Sequence, residues 1–137
     1  MRVYISGKIG EEVISDATRQ KFNKAEVMLK AKGFDTFNPT NEKWQSDLQF
    51  MFKIEMKAQP HGDKVDFYSY ALLRDMKVMA TCDAIYFLED WDKSNGANTE
   101  MSFAMATGKK MLWQNLEDAQ SFRNDDETAD DVWLPIV

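Results

Sequence analysis

The chain has 137 residues, 44% of them hydrophobic and 29% charged, with a formal net charge of −6. That length serves one ordinary domain that buries its core without disulfides or metal staples, and no window reaches the apolar length of a bilayer span. The acidic balance argues against a broad grip on nucleic-acid polymers, the lone His61 excludes multi-histidine metal sites, and the lone Cys82 excludes an internal disulfide.

The opening MRVYISGKIG has no long apolar stretch of the secretory kind, so a cytoplasmic, reducing setting without membrane role or cofactor is expected. RVYIS reads as a first strand that runs into a glycine-punctuated loop, SGKIGEE. Residues 16–32 read as a helix, with Asp16 as N-cap, Phe22, Ala25 and Leu29 on one face, and Gly33 as the stop. FDTFNP is a second short strand ended by Pro39. Residues 41–63 carry the weakest pattern: a short helix with aromatics, then a loop around Pro60, His61 and Gly62. Asp66 to Ala80 is helical again, with Leu72, Met76 and Met79 on one side, and CDAIYFLED is a third, almost continuously apolar strand. The turn SNGANTE, a helix to about Thr107, Gly108 as C-cap and the strand KKMLWQN follow.

This alternation predicts an α/β fold, a three-layer doubly wound parallel sheet of four to five strands of Rossmann or flavodoxin type, with residues 1–137 as a single domain. The acidic tail at about 117–131 reads as a mobile linker, and VWLPIV as an edge strand or as cover for a partner subunit. In such sheets ligands bind beyond the carboxyl ends of the strands, which singles out SGKIG and EDWDKSNGANTE.

Three features there have two readings each. Gly7 and Gly10 suit a turn that needs glycine torsions, or let a sugar or phosphate approach the backbone beside Lys8. Asp75 lies one helical turn from Leu72 and Met79, so it is either an acid tied to a nearby loop or a semi-buried carboxyl whose raised pKa suits proton delivery. Glu100 follows Asn98, an N-cap candidate, and so falls in a first turn whose dipole and free N–H groups favour its ionised form: it either merely stabilises its helix or is an ionised nucleophile. Tyr4, Tyr68, Tyr70 and Trp91 are candidates for stacking on a planar ligand, whereas Tyr86 reads as core.

Taken together, VYISGKIG and RDMKVMATCDAIYFLEDWDKSNGANTEMSFAMATGKKM resemble the nucleoside 2-deoxyribosyltransferase-like superfamily. The spacing of Asp75, Asp83, Ser94, Gly96, Glu100, Gly108 and Lys109 carries the likeness, over the first ten residues and roughly 74–113. The pattern looks closest to a small bacterial and phage branch of unassigned function, and is similar to the 2'-deoxynucleoside 5'-phosphate N-glycosidases. The resemblance implies cleavage of the N-glycosidic bond of a 2'-deoxynucleoside or its 5'-monophosphate, and an assembly of two or more copies. By position, Glu100 would be the nucleophile, Asp75 the residue that protonates or orients the departing base, and Tyr4 the residue that positions Glu100. Gly7, Lys8, Ile9, Tyr68, Ser94, Gly96 and Asn98 would contact substrate. Ser94, where the nucleoside transferases tend to have Asp, tilts the implied substrate towards a 5'-nucleotide, with Lys8 and the N–H groups of Gly96 to Asn98 near the phosphate. Gly10, where the glycosidases have Arg, removes one expected phosphate contact, and Asn98 replaces a common glycine. Two other readings compete with an enzyme: a nucleotide-sensing or binding module on the same scaffold, and a structural subunit with a decayed site.

Overall fold

The computed structural model describes residues 1–10, 13–59 and 65–136. Four strands, β1 (Arg2–Ser6), β2 (Asp35–Phe37), β3 (Ala84–Phe87) and β4 (Lys110–Trp113), form one parallel sheet in the order β2-β1-β3-β4. Parallel neighbours need long crossovers, and helices supply them. These are α1 (Asp16–Ala31), α2 (Glu42–Ala58) with α3 (Phe67–Ala80), and α4 (Asn95–Ala106). Right-handed crossovers in this strand order put α1 on one face and α3 and α4 on the other, where those two touch. The expected three-layer α/β fold is therefore present, with four strands, and strand order reverses direction between β1 and β3.

Burial follows from the residue types. Val3, Ile5, Ala84, Ile85, Tyr86 and Phe87 are wholly buried, as strands covered on both faces require. Phe22, Ala25 and Leu29 of α1 are likewise buried at the expected spacing. Ser15 rather than Asp16 caps α1, its side chain accepting from the Thr18 N–H, and Asp66 caps α3 in the same way through Ser69. The methyl-free positions Gly33 and Gly108 take φ of 90° and 68°, the left-handed turn that ends α1 and α4. No helix among the described residues is long and apolar enough to cross a membrane.

Two segments differ from expectation. The short helix expected after residue 41 runs for 17 residues, because Trp44, Leu48, Phe52 and Glu55 form an inward stripe at helical spacing. Exposed Phe50 and Ile54 blur that stripe in the sequence. The loop expected around Pro60, His61 and Gly62 lies outside the described residues. The acidic tail is no linker: α5 (Leu116–Phe122) and α6 (Ala129–Val132) pack through buried Ala119 and Val132. In VWLPIV, Trp133 bridges to the sheet at Trp113, where the Leu134 N–H donates to the Trp113 carbonyl at 2.8 Å, and the Leu134 carbonyl accepts from the Tyr86 hydroxyl at 2.6 Å.

The loops beyond β1 and β3 are fastened to each other. Asp90 accepts from the Lys8 backbone N–H at 3.1 Å and from Lys21 Nζ at 2.5 Å, while Lys21 Nζ also donates to the Lys8 carbonyl at 2.7 Å. Gly7 is packed against Leu88, so a Cβ added there would lie 2.6 Å from Leu88 Cδ1 and 3.0 Å from its Cβ. This close approach accounts for the glycine without invoking a ligand. Gly7→Ala should therefore destabilise the fold by about 1–3 kcal/mol through overpacking, read as a lower urea midpoint. An unchanged midpoint would show that the loop moves aside freely.

Candidate active site

Residues two apart on a strand face the same way, so Tyr4 and Ser6 both project towards the α3–α4 side of the sheet. There they meet the carboxylate of Glu100. The Tyr4 hydroxyl donates to Oε2 at 2.5 Å and the Ser6 hydroxyl to Oε1 at 2.9 Å, with Glu100 only 6% exposed. Each oxygen of the carboxylate thus has its own donor, and hydrogen bonds to a charged group contribute roughly 1.5–3 kcal/mol each. From α3, Asp75 enters the same region at 9% exposure and accepts from the indole N–H of Trp44 at 2.9 Å through Oδ1.

Burial pushes the Asp75 carboxyl up to about 8, with the nearby Glu100 charge adding to it and the Trp44 hydrogen bond opposing it. Burial also pushes Glu100 up to about 7, against the hydrogen bonds from Tyr4 and Ser6. Tyr4 is held well above its ordinary value by burial, then by Asp75 and Glu100, so it remains a donor. The two carboxyls titrate as a pair, and Glu100 ionises first because two hydroxyls stabilise its anion where Asp75 has one indole. Asp75 therefore holds its proton to higher pH than Glu100.

Glu100, Asp75 and Tyr4 all line a single cavity of about 650 Å³ that opens beyond the carboxyl ends of β1 and β3. Gly7, Lys8, Ile9, Tyr68, Ser94 and Gly96 line it as well. Asn98 does not: its side-chain amide turns back to donate to the carbonyls of Asp92 and Ser94, at 3.1 and 2.8 Å. Nor is Asn98 the cap. Ser94 caps α4, accepting from the Ala97 N–H at 3.2 Å, and the helix begins one turn earlier than expected. Glu100 therefore sits in the second turn, and hydroxyl donors rather than the helix terminus hold its charge. The N–H groups of Ala97 and Asn98 are used by Ser94, leaving those of Asn95 and Gly96 at the open end of the helix. The Ser94 hydroxyl proton is free of this cap bond and can be given to an anion.

Of the other stacking candidates, Tyr70 is 5% exposed and packs on Phe52. Trp91 is buried among Phe87, Trp113 and Phe122, its indole donating to Asp118. Neither lines the cavity. Sequence reasoning missed Ser6, Trp44 and Lys93. Alternation with Tyr4 along β1 was a usable signal for Ser6; Lys93 lines the cavity next to Ser94. Nothing local pointed from Trp44 to an acid 31 residues away. Among the described residues no group of three His, Cys, Asp or Glu side chains is placed to hold a metal ion.

The parallel β2-β1-β3-β4 sheet, with two buried carboxyls lining a cavity at its switch point, makes this a small α/β protein of the doubly wound class. Within that class the chain belongs to the family described as a domain of unknown function, DUF4406, whose model matches residues 1–113. No curated protein matches the sequence. Among solved structures, the fold is similar to that of a 2-deoxyribosyltransferase from the psychrotolerant bacterium Bacillus psychrosaccharolyticus. The TM-score is 0.55 over 96% of this chain and 90% of that one, at 15% sequence identity. At this identity the likeness establishes the fold alone.

The raised pKa values carry a consequence for stability. Folded Asp75 and Glu100 hold their protons to higher pH than in the unfolded chain, so their contribution is fullest below about pH 4 and is lost as pH rises through about 7 to 8. Relative to Asp75→Asn, the wild-type urea midpoint should fall progressively between pH 4 and 8. A difference between the two proteins that does not change with pH would contradict the buried, protonated Asp75.

Proposed function

We propose that this protein cleaves the N-glycosidic bond of a 2'-deoxynucleoside 5'-monophosphate or a 2'-deoxynucleoside, through a covalent deoxyribosyl ester on Glu100. The observation that carries this reading is the pairing, in one cavity, of a buried carboxylate held by two hydroxyls with a second carboxyl that keeps its proton near neutral pH. It is the division of labour in a retaining glycosidase.

A Glu100 oxygen attacks the anomeric carbon as the bond to the base breaks. The electron pair leaves on the base nitrogen, which takes the proton of Asp75. Tyr4 and Ser6 fix the attacking carboxylate and limit the orientations it samples. Asp75, now ionised, then takes a proton from water as that water attacks the anomeric carbon and releases Glu100. A second base in place of water completes a transfer instead. The exposed part of the cavity, with Lys8, Lys93, Ser94 and the N–H groups of Asn95 and Gly96, suits the 5'-phosphate. No carboxylate stands at position 94 to repel it.

Purified protein should release free base from one or more deoxynucleoside monophosphates or deoxynucleosides, scored by chromatography. Glu100→Gln should lower that rate by at least about a thousandfold while leaving the fold intact, since it removes the nucleophile. Acid quench of the wild-type reaction should reveal the chain with one deoxyribosyl unit attached. Saturable nucleotide binding with no base release from any substrate would favour the sensing module instead. Ser94→Asp should weaken kcat/KM for the monophosphate by about tenfold or more and spare the nucleoside, because it sets a charge against the phosphate. Equal loss on both substrates would remove the phosphate from this end of the cavity.

A further inference from the structure

The donor to Asp75 comes from a helix that none of the site motifs include. Trp44 lies in the first turn of α2, where the Asn41 side chain caps the helix by accepting from the Trp44 backbone N–H at 3.1 Å. Its ring meets Phe37 edge-on, with centroids 5.1 Å apart and planes at 84°. Phe37 in turn stacks on Tyr4, centroids 5.5 Å apart and planes at 17°, the two being register partners on β2 and β1. Three aromatic rings thus link the donor of one carboxyl to the donor of the other: Tyr4 holds Glu100, Trp44 holds Asp75, and Phe37 lies between.

We propose that Trp44 is a positioning residue for the acid of this site: by donating to Asp75 Oδ1 it confines the proton to the other carboxyl oxygen, the one left to face substrate. An indole N–H donates and never accepts, so in the protonated carboxyl it pairs best with the carbonyl oxygen, the stronger acceptor of the two. A carboxyl without this contact could carry its proton on either oxygen and rotate between them. The proposal rests on the glycosidic reading for what the proton is used for, but the contact with Asp75 stands apart from it.

The charged surroundings leave Trp44 as the adjustable partner. Glu100 from α4 and Tyr4 from β1 face Asp75, and Asp66, Lys8 and Lys93 share the cavity. On its own helix, Arg74 is engaged by Glu55 and Tyr70. Because the indole bond favours the ionised form, its removal lets Asp75 keep its proton to higher pH.

Trp44→Phe keeps a ring against Phe37 and deletes only the donor. In wild type and variant, the Asp75 carboxyl carbon is followed by NMR on protein labelled in aspartate, and base release is measured against pH. The Asp75 midpoint is expected to rise by about half to one pH unit, the alkaline limb of kcat to move up with it, and kcat at pH 7 to fall about tenfold with KM little changed. Phe37→Leu, which leaves the indole in place but removes the ring beside it, should shift the midpoint the same way by less. An unmoved midpoint in a folded Trp44→Phe protein overturns the proposal, as does a loss confined to KM. If wild type releases no base at all, the glycosidic reading fails, while the NMR midpoint still decides whether Trp44 governs Asp75.

Discussion

The burial of one carboxylate between two strand hydroxyls is the constraint on which the site depends. Glu100 reaches Tyr4 and Ser6 because α4 crosses from β3 to β4 on the face of the sheet that those alternate side chains share. A buried acid without donors would stay protonated and inert as a nucleophile. With two donors it ionises close to neutral pH despite its burial. The same burial acts on Asp75, which has a single donor and the Glu100 charge beside it, so Asp75 holds its proton to higher pH than Glu100.

Strand order supplies the opening. Between β1 and β3 the connections diverge, and the loops that follow those strands leave a cleft that helices do not fill. Such loops are ordinarily the mobile part of an α/β protein. Here the ion pair of Lys21 with Asp90, reinforced by both backbone groups of Lys8, ties one loop to the other. Gly7 packing on Leu88 closes the seam from below. Lys8 is left with its backbone fixed and its side chain exposed, an arrangement suited to meeting an anion without reorganising the loop.

Much of this was legible in the sequence, for identifiable reasons. The strands are continuous apolar runs, α1 shows a clean stripe of Phe22, Ala25 and Leu29, and the cavity residues Asp75, Ser94, Gly96 and Glu100 fall in two short windows whose spacing is itself the signal. The start of α4 was misplaced because Ser94 and Asn98 are both good caps; only tertiary placement decides between them. That error assigned the stabilisation of Glu100 to the helix terminus when it belongs to Tyr4 and Ser6. The contact of Trp44 with Asp75 was not legible at all. It links two helices across 31 residues, and α2 bears apolar residues on its solvent side as well as its inner side. Likewise Trp91 looked available for stacking because sequence gives no hint that Phe87, Trp113 and Phe122 enclose it.

The electrostatics at the site oppose the stability of the fold that houses it. Two carboxyls with raised pKa values make the folded state less favourable as the pH at which Glu100 ionises is approached, so the pH that charges Glu100 also weakens the structure. The molecule offsets this away from the carboxyls: in the aromatic contacts of Tyr4, Phe37 and Trp44, and in the wholly buried strand residues beneath them. These contacts are insensitive to pH, so they hold the carboxyls together while their charges change. Stacking Phe37 between the two hydrogen-bond donors therefore does more than fill space. It keeps the donors of the two carboxyls at one spacing, so Asp75 and Glu100 stay together as either changes its charge.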